Sequence, residues 1–424
     1  MAAPAVRIGL VVPSLENGGG VPAVADFVCR AAERTGRFQV KLVSLATDAR
    51  DDLSLRLTQP GTWLKGARAA PGGTWRGRPY VRVGAVACEL EFQRYRRRSA
   101  LAAVLQDCDL IQVVCGSPAW ANAVLGLGKP VALQVATRAV VERVLRDAAA
   151  TSPLDRWRRA MTSITNRLDD RALGKVDAIQ VENPWMLDYA TAANAGRSTV
   201  DIRYAPPGVD ASLFRPCAAD EAAASAPYVL CVGRLTDPRK NIGMLLEAFA
   251  RVAAALPGPV DLVLAGSGGP NQAFWARVSA LGLDDRVRFV ASPTLDELVR
   301  LYQRCAVFAL SSDEEGLGVV LLEAMACGIP VVATRCGGPD GIITHGVDGF
   351  LVGRSNIDEM ARSVLALLTD EPMRKVMGRE ARQTIEARYA EELAGAAFID
   401  VWDRLMHRFT GGQQDVPSDR LFGI

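Results

Sequence analysis

The chain has 424 residues, of which 49% are hydrophobic and 23% charged, and its formal net charge is +2. These values are typical of a folded globular protein, and the small net charge argues against nucleic acid as its main partner. A chain of this length exceeds one ordinary core, so we expect two domains of about 200 residues each.

The sequence shows no clear membrane-spanning segment, signal peptide or cysteine motif. No apolar run reaches the ~20 residues that a membrane-spanning helix requires. The start, MAAPAVRIGLVVPS, lacks a basic lead before a long apolar segment, and we interpret it as a first strand and not as a signal peptide. The nine cysteines form no CxxC pair, so neither a zinc site nor a disulfide framework is indicated. Together with abundant arginine and alanine, this predicts a cytoplasmic protein of a GC-rich bacterium.

The first half begins with a predicted strand, Val6–Pro13. Three glycines follow it, Gly18, Gly19 and Gly20, and a helix is predicted from about Val21. Glycines in this place let the backbone approach a ligand closely, although their spacing is not the GxGxxG dinucleotide fingerprint. An ordinary strand–helix turn is the alternative interpretation.

Further strands are predicted over residues 38–46, 80–86, 109–115, 130–136 and 176–183, with a charged helical stretch at 138–172. Residues 47–78 are predicted to be an irregular or helix-containing insertion. Residues 91–106 are predicted to form one helix with a basic face of Arg94, Arg96, Arg97 and Arg98. Such a face is typical of a solvated helix, and peripheral contact with the inner membrane surface is the alternative. Alternating strands and helices favour a doubly wound parallel sheet.

The pattern restarts after a Pro- and Ala-rich linker at residues 216–227. Strands near residues 228, 261, 287, 306, 330 and 349 alternate with helices, which predicts a second doubly wound domain. We therefore divide the chain into residues 1–204, residues 205–390, a helix at 391–410 that crosses back to the first domain, and a tail at 411–424. Ligands bind beyond the carboxyl ends of parallel strands, so two such sheets would enclose a cleft.

The most informative stretch is SSDEEGLGVVLLEAMACGIPVVAT, which starts at Ser311. Glu315 is predicted on a strand-to-helix loop, and Glu323 about two turns further on, inside a helix that starts near Gly318. The free N–H groups of a helix start suit a phosphate, and carboxylates suit sugar hydroxyls, so the pattern predicts a nucleotide-sugar site. A solvated pair of acids is the alternative, but Glu323 lies in an apolar helix where a solvated face is not expected.

Cationic and glycine residues end other strands of the second half. Arg234 follows a predicted strand in VGRLTDPRKN, and Lys240 precedes the next helix. A guanidinium fork and an ammonium group both suit phosphate oxygens, with a surface basic pair as the alternative. Gly266 ends a strand in LAGSGG and allows close approach of a base or ribose.

These motifs resemble the retaining glycosyltransferases of family four, the glycosyl transferases group 1, which have the GT-B fold of two Rossmann-like domains. The resemblance is carried by GRLTDPRKN, GVDASLF, LAGSG, EEGLGVVLLEAMACGIPVVAT and GVDGFLV. It implies that Arg234 and Lys240 hold the pyrophosphate and that Glu323 accepts from the ribose. It further implies that Glu315 contacts the transferred sugar and that the backbone at Gly318, Val319 and Val320 meets the phosphate or sugar, while Gly19 and Gly20 approach the donor phosphate.

The chain departs from the family pattern at three places. Ala136 stands where the family often has a histidine that touches the sugar, and the histidines often found around DLIQVVC are absent. Gly341 stands where an acidic residue often ends the GGxxE segment. His345 is interpreted as a loop residue.

The function predicted from these residues is transfer of a sugar from a nucleoside diphosphate sugar to an acceptor hydroxyl, with retained configuration. The acceptor is a small molecule, a lipid or a glycan. No cofactor is expected, and no Asp-x-Asp ends a strand, so we predict metal independence. The alternatives are a nucleotide-sugar epimerase of similar fold and a non-catalytic nucleotide-sugar binding protein.

Overall fold

The computed structural model describes residues 5–16, 19–148, 151–217 and 227–410, and contains two sheets. Gly18, most of the predicted linker and the tail at 411–424 lie outside the described residues. Both sheets are mainly parallel and have helices on both faces, which confirms the prediction of an α/β protein with two doubly wound Rossmann-like domains.

The first sheet has the strand order β3-β4-β2-β1-β5-β6-β7-β8. Neighbouring strands pair in parallel except β3 and β4, which are antiparallel. Its strands are β1 (Val6–Pro13), β2 (Phe38–Leu45), β3 (Ala69–Trp75), β4 (Arg78–Val83), β5 (Leu110–Cys115), β6 (Val131–Val135), β7 (Ala178–Val181) and β8 (Asp201–Tyr204).

The second sheet has the order β11-β10-β9-β12-β13-β14 and is parallel throughout. Its strands are β9 (Tyr228–Val232), β10 (Asp261–Gly266), β11 (Val287–Ala291), β12 (Val307–Leu310), β13 (Val331–Thr334) and β14 (Gly349–Val352). Every residue of β9, β12 and β13 is buried, as expected for strands covered on both faces.

Along the chain, most helices connect successive strands. They are α1 (Gly20–Thr35), α2 (Glu91–Arg94), α3 (Ser99–Val104), α4 (Ala139–Glu142), α5 (Val144–Ala148), α6 (Pro153–Leu173), α7 (Pro184–Ala193), α8 (Ile242–Ala255), α9 (Gln272–Ala280), α10 (Leu295–Arg304), α11 (Val319–Ala326), α12 (Gly338–Ile342), α13 (Ile357–Thr369), α14 (Glu371–Thr384) and α15 (Glu391–Thr410). A π-helical turn, Ile385–Tyr389, joins α14 to α15. None of the helices in the described part of the chain combines the length and the apolar character that crossing a membrane requires.

The final helix, α15, packs on the first sheet although it follows the second one in the chain. Phe398 and Trp402 of α15 are fully buried in one cluster with Ile8 of β1 and Phe27 of α1. The ring of Phe27 meets that of Phe398 edge to face, at 5.3 Å between centroids. The exact domain limits at residues 204 and 390 stay a prediction.

The predicted helix at residues 91–106 is wrong, because the chain forms two short helices, α2 and α3, with a break at residues 95–98. The break arises because Arg98 is buried, and its guanidinium donates to the carbonyl oxygens of Val83 and Gly84 at 3.2 and 2.7 Å. Arg94 likewise donates to the carbonyl oxygen of Cys88 at 2.7 Å. The predicted basic face therefore lacks Arg94 and Arg98.

Two strands were missing from the sequence-based prediction. Strand β3 lies in the stretch predicted as an irregular insertion, and it contains Pro71, Gly72 and Gly73, which are poor strand formers. It forms because it is an edge strand that pairs only with β4, with a register shift between Pro71 and Gly73. Strand β8, at the other edge, is only four residues long. Edge pairing in the folded sheet, and not local propensity, decides both strands.

Candidate functional site

Each sheet has one place where the strand order reverses, and ligands bind in the crevice outside that place in open parallel sheets. In the first sheet it lies between β1 and β5, and in the second between β9 and β12. The residues that follow these four strands line one cavity of about 370 Å³ between the domains. This cavity contains all ten of the predicted site residues: Gly19, Gly20, Arg234, Lys240, Gly266, Glu315, Gly318, Val319, Val320 and Glu323.

Gly19 and Arg234 meet across the cavity from opposite domains. Gly19 precedes α1 with a φ of 101°, which favours glycine, and a Cβ built there would lie 3.5 Å from Nε of Arg234. The guanidinium of Arg234 lies 3.5 Å from its nearest carboxylate, Asp237, and its side chain is 46% exposed. Its donors therefore remain largely available to an incoming anion.

Lys240 and Glu315 form an ion pair on the second-domain side of the cavity. Nζ of Lys240 lies 2.5 Å from Oε1 of Glu315, and the hydroxyl of Ser312 donates to the same oxygen at 2.6 Å. Both side chains are largely buried, at 16% and 12% exposed. Ser311 fixes the lysine backbone by donating to its carbonyl oxygen at 2.9 Å. Lys240 and Glu315 thus neutralise each other, and a ligand that binds one of them competes with the other.

The first turn of α11 opens on the same cavity. Gly318 precedes this helix in the left-handed region, with a φ of 90°, as a sharp loop-to-helix turn requires. The N–H groups of a first helical turn lack intrahelical acceptors and carry the positive end of the helix dipole. Val319 and Val320 belong to this turn and line the cavity, so their backbone suits an anion.

Glu323 lies further along α11 and is partly buried. Its Oε2 accepts a hydrogen bond from the hydroxyl of buried Tyr302 at 2.7 Å. Burial raises the pKa of Glu323 to about 7, against the hydrogen bond from Tyr302 and the charge of Arg76, which both lower it. The carboxyl therefore changes its charge near neutral pH.

Gly266 ends β10 where a side chain has no room. A Cβ built there would lie 2.0 Å from the carbonyl oxygen of Gly233, and the φ of 141° lies in the region that favours glycine. The close approach brings the ends of β9 and β10 together beside Arg234.

The cavity also has residues that the sequence patterns did not indicate as site residues. Arg239 contacts Glu142 of the first domain at 3.2 Å and Glu314 of the second at 3.0 Å. Beside the cavity, buried Asn183 donates to the carbonyl oxygens of two residues that line it, Ala136 and Gly316, at 2.7 and 2.6 Å. Arg239 stands in the same RLTDPRKN motif as Arg234 and Lys240, but its partner in the first domain is more than 90 positions away along the chain. No local pattern could show that pairing.

The structure shows the surroundings of two departures from the family pattern, Ala136 and Gly341, and of His345. Ala136 lines the cavity, and its Cβ lies 2.6 Å from where a Cβ of Gly316 would stand. A Cβ at Gly341 would lie 2.8 Å from Pro184 and 3.0 Å from the hydroxyl of Tyr204, so a larger side chain does not fit there. His345 is exposed and its Nδ1 accepts from the backbone N–H of Leu351 at 3.0 Å, which is a loop contact.

The described residues contain no evident metal site. No group of three or more His, Cys, Asp or Glu side chains is arranged to hold an ion among residues 5–16, 19–148, 151–217 and 227–410. Eight cysteines are buried, and none of these eight forms a disulfide within the described part of the chain.

Comparison with known proteins gives consistent matches to sugar-transferring proteins. The family model described as Glycosyl transferases group 1 matches residues 219–384. A GDP-mannose-dependent alpha-(1-6)-phosphatidylinositol monomannoside mannosyltransferase of Mycobacterium tuberculosis is 31% identical over 222 residues, which are 49% of this chain and 57% of that protein. A D-inositol 3-phosphate glycosyltransferase of Kribbella flavida is 35% identical over 202 residues, 44% of this chain and 47% of that protein. The matched stretch thus spans about half the length of these curated relatives.

Solved structures resemble the whole chain in fold. Sucrose-phosphate synthase from Thermosynechococcus elongatus has a TM-score of 0.72 at 20% identity, covering 95% of this chain and 100% of that one. HepE of Anabaena in complex with UDP and glucose has a TM-score of 0.67 at 17% identity, covering 94% and 99%. At these identities the likeness shows the fold. Residues 219–384 therefore match the glycosyl transferases group 1 family, and the chain has the two-domain GT-B fold.

Proposed function

We propose that this protein is a retaining glycosyltransferase that moves a sugar from a nucleoside diphosphate sugar to an acceptor hydroxyl. The observation that carries the proposal is the convergence of Arg234, Lys240 and the α11 start on one cavity that also holds Glu315 and Glu323. Cations and a helix start suit a diphosphate, and two carboxylates suit hydroxyls. The group 1 domain and the relatives supply independent support for the same class.

The chemistry follows from where charge develops. The bond between the anomeric carbon and the diphosphate oxygen breaks, and the acceptor oxygen bonds to that carbon on the same face. The acceptor proton passes to the leaving phosphate oxygen, so the step needs no dedicated base. The protein then has to stabilise the negative charge that grows on the diphosphate, which Arg234, Lys240 and the first turn of α11 are placed to do.

The ion pair between Lys240 and Glu315 suggests how the donor is received. An incoming phosphate attracts Nζ of Lys240, which now lies 2.5 Å from Glu315. The freed carboxylate of Glu315, still held by Ser312, then accepts from a hydroxyl of the transferred sugar. One binding event thus exposes both the cation for the phosphate and the acceptor group for the sugar.

The acceptor and the place of work belong to the same proposal. Names of the two relatives include phosphatidylinositol monomannoside and inositol 3-phosphate, which favours a polyol, lipid or glycan acceptor here. We place the protein in the cytoplasm, with any membrane contact peripheral and through Arg96 and Arg97. Both are exposed, and they line a cavity of about 760 Å³ together with Arg171 and Lys175. Charge of this sign attracts anionic headgroups.

A thermal-shift panel tests the proposal. The intact protein is heated with UDP-, GDP-, ADP- and dTDP-sugars in the presence of a chelator, since we also propose that the cations of the site make a metal unnecessary. A ligand at about 100 times its Kd stabilises the folded protein by ~2.7 kcal/mol, so at least one donor should raise the Tm measurably. No shift with any donor would contradict the proposal.

Two rival functions are separated by the product. An epimerase converts the donor alone into an isomer, whereas a binding protein leaves it intact with and without acceptor. A glycosyltransferase releases nucleoside diphosphate and forms a new glycoside only when acceptor is present. Chromatography of the donor after incubation with and without an inositol or glycolipid acceptor distinguishes the three.

Affinity for the free nucleoside diphosphate is expected to rise as the pH is raised through about 7. Above this pH Glu323 is a carboxylate and accepts from the ribose hydroxyls. The stability of the free protein has the opposite sign. A carboxyl whose pKa is raised on folding stabilises the fold fully below its unfolded pKa of ~4.3, and that contribution is lost as the pH rises through about 7.

Calorimetric titration with UDP and GDP on both sides of neutral pH measures the effect. Glu323→Gln has no charge to gain and should show a smaller change in affinity, namely the part that comes from ionisation of the terminal phosphate of the ligand. A wild-type affinity that is constant across this range, or a variant that keeps the wild-type slope, would contradict the assignment of Glu323.

A further inference from the structure

Glu182 is a buried carboxyl in the cavity that neither the motifs nor the proposed mechanism uses. It follows β7 in the first domain, is only 6% exposed, and lines the cavity between the domains. Its Oε1 accepts from Nε2 of Gln134, on β6, at 2.9 Å. Its Oε2 forms no hydrogen bond within the described residues. This oxygen is not fully enclosed by protein atoms, so it remains accessible from the cavity.

The carboxyl of Glu182 contributes little to the stability of the fold. No cation pairs with Glu182 in the described part of the chain, and burial raises its pKa to about 7, against the hydrogen bond from Gln134. The charge of Glu314 acts in the same direction as burial. Burying a carboxyl without a compensating partner is costly, and such groups gather at functional sites.

The neighbouring residue makes the contrast plain. Asn183 accepts from the backbone N–H of Met186 at 2.9 Å and donates to the carbonyls of Ala136 and Gly316. Its hydrogen bonds cap α7 and join the two domains, so it serves the fold. Glu182 has one partner, and that partner, Gln134, has an enclosed Oε1 with no hydrogen bond of its own. Gln134 and Glu182 thus share one hydrogen bond, and each side chain keeps an oxygen without a partner in the described residues.

The strand order places Glu182 away from the diphosphate end of the cavity. Strand β7 stands three positions from β1, in the order β1-β5-β6-β7, or about 14 Å at the usual strand spacing. Gly19 and Arg234 mark the β1 end, where the diphosphate is proposed to lie. Glu182 is on the side of Ala136 and Gly316, which the adjacent Asn183 contacts, and this leaves the transferred sugar as the part of the donor within its reach.

We propose that Glu182 binds one hydroxyl of the transferred sugar through Oε2 and so selects the donor, with Gln134 as the positioning residue for its carboxyl. This inference rests on the proposed function. A carboxyl that is only partly ionised at neutral pH can accept a hydrogen bond from a sugar hydroxyl or donate one to it. It can therefore bind a hydroxyl that acts as donor or as acceptor. The specificity it confers concerns the sugar and leaves the nucleotide unaffected.

The test compares donors that differ by one hydroxyl. The nucleotide sugar that binds in the thermal-shift panel is assayed beside derivatives that each lack one sugar hydroxyl. In the wild-type protein, one derivative should have a kcat/KM at least about tenfold below the parent donor, the loss expected for one hydrogen bond to a charged group. In Glu182→Ala that derivative and the parent should be equal. Gln134→Leu should reduce the same preference.

Controls separate selection from damage to the fold. Glu182→Gln removes a buried charge without changing shape and should have a Tm no lower than the wild type. The affinity for UDP or GDP alone should be unchanged in the Glu182 variants. Glu392→Gln, which alters a carboxylate with a side chain 72% exposed on α15, should keep the wild-type preference among donors.

The outcomes distinguish this inference from the proposed function. If no nucleotide sugar binds the wild-type protein, the proposed function fails. If nucleotide sugars bind and react but Glu182→Ala keeps the wild-type ratio for every derivative, the inference about Glu182 fails and the proposed function stands. A change in acceptor preference with an unchanged donor preference would likewise overturn it.

Discussion

Lys240→Ala is expected to lower kcat/KM for the nucleotide sugar by about 10- to 150-fold, because a hydrogen bond to a charged group contributes ~1.5–3 kcal/mol. Two effects have the same direction. The diphosphate loses the ammonium group that we propose to stabilise its developing charge, and Glu315, only 12% exposed, loses the cation that now lies 2.5 Å away. Steady-state kinetics with the best donor of the panel measures the loss.

Lys240→Arg and Lys375→Ala are the matched controls. The arginine variant keeps the positive charge but not the compact shape, so it should recover part of the activity. Lys375 has a side chain that is 67% exposed and pairs with Glu371 one turn away on α14, so its replacement should leave kcat/KM near the wild-type value. Wild-type kinetics in Lys240→Ala would contradict the assignment of Lys240 to the diphosphate site.

Trp402→Ala is expected to lower the free energy of unfolding by about 3–5 kcal/mol, the usual cost of removing a large buried aromatic side chain. Trp402 is fully buried, and its ring packs against Phe38 of β2 at 5.1 Å between centroids. Its indole N–H donates to Oε1 of buried Gln112 on β5 at 2.8 Å, so truncation also leaves that oxygen unpaired. The contact fastens α15 to the first domain.

The midpoint of urea unfolding measures this effect. Phe409→Ala on the same helix is the control, since Phe409 is 49% exposed and should change the midpoint little. If Trp402→Ala unfolded at the wild-type urea concentration, the crossing of α15 onto the first sheet would not contribute to stability.

The second domain was predictable almost strand by strand because its signals are local. Strands such as β9, β12 and β13 are covered on both faces, so they appear in the sequence as continuous apolar runs. Glycine and charge at the strand ends then indicated which edge binds ligand. The start of α10 at Leu295 is likewise marked locally, by the Thr294–Glu297 capping box.

The first domain was less predictable because its irregular parts depend on distant partners. Arg98 interrupts the helix predicted at 91–106 because it bonds with Val83 and Gly84, at the end of β4. Strand β3 forms against β4 despite its proline and glycines. Nothing in the residues near either stretch carries that information.

By itself the sequence determined the two doubly wound sheets, because burial on both faces is encoded in short apolar segments. Strand-end motifs and the family resemblance indicated the ten residues that line the cavity. Only the tertiary structure decided what spans the domains. The pairing of Arg239 with Glu142 and the bonds of Asn183 arise when the ends of two sheets face each other, whereas the single-partnered carboxyl of Glu182 arises from its burial beside Gln134 within the first domain. These contacts join residues far apart along the chain, and their energies depend on a burial that no local pattern encodes.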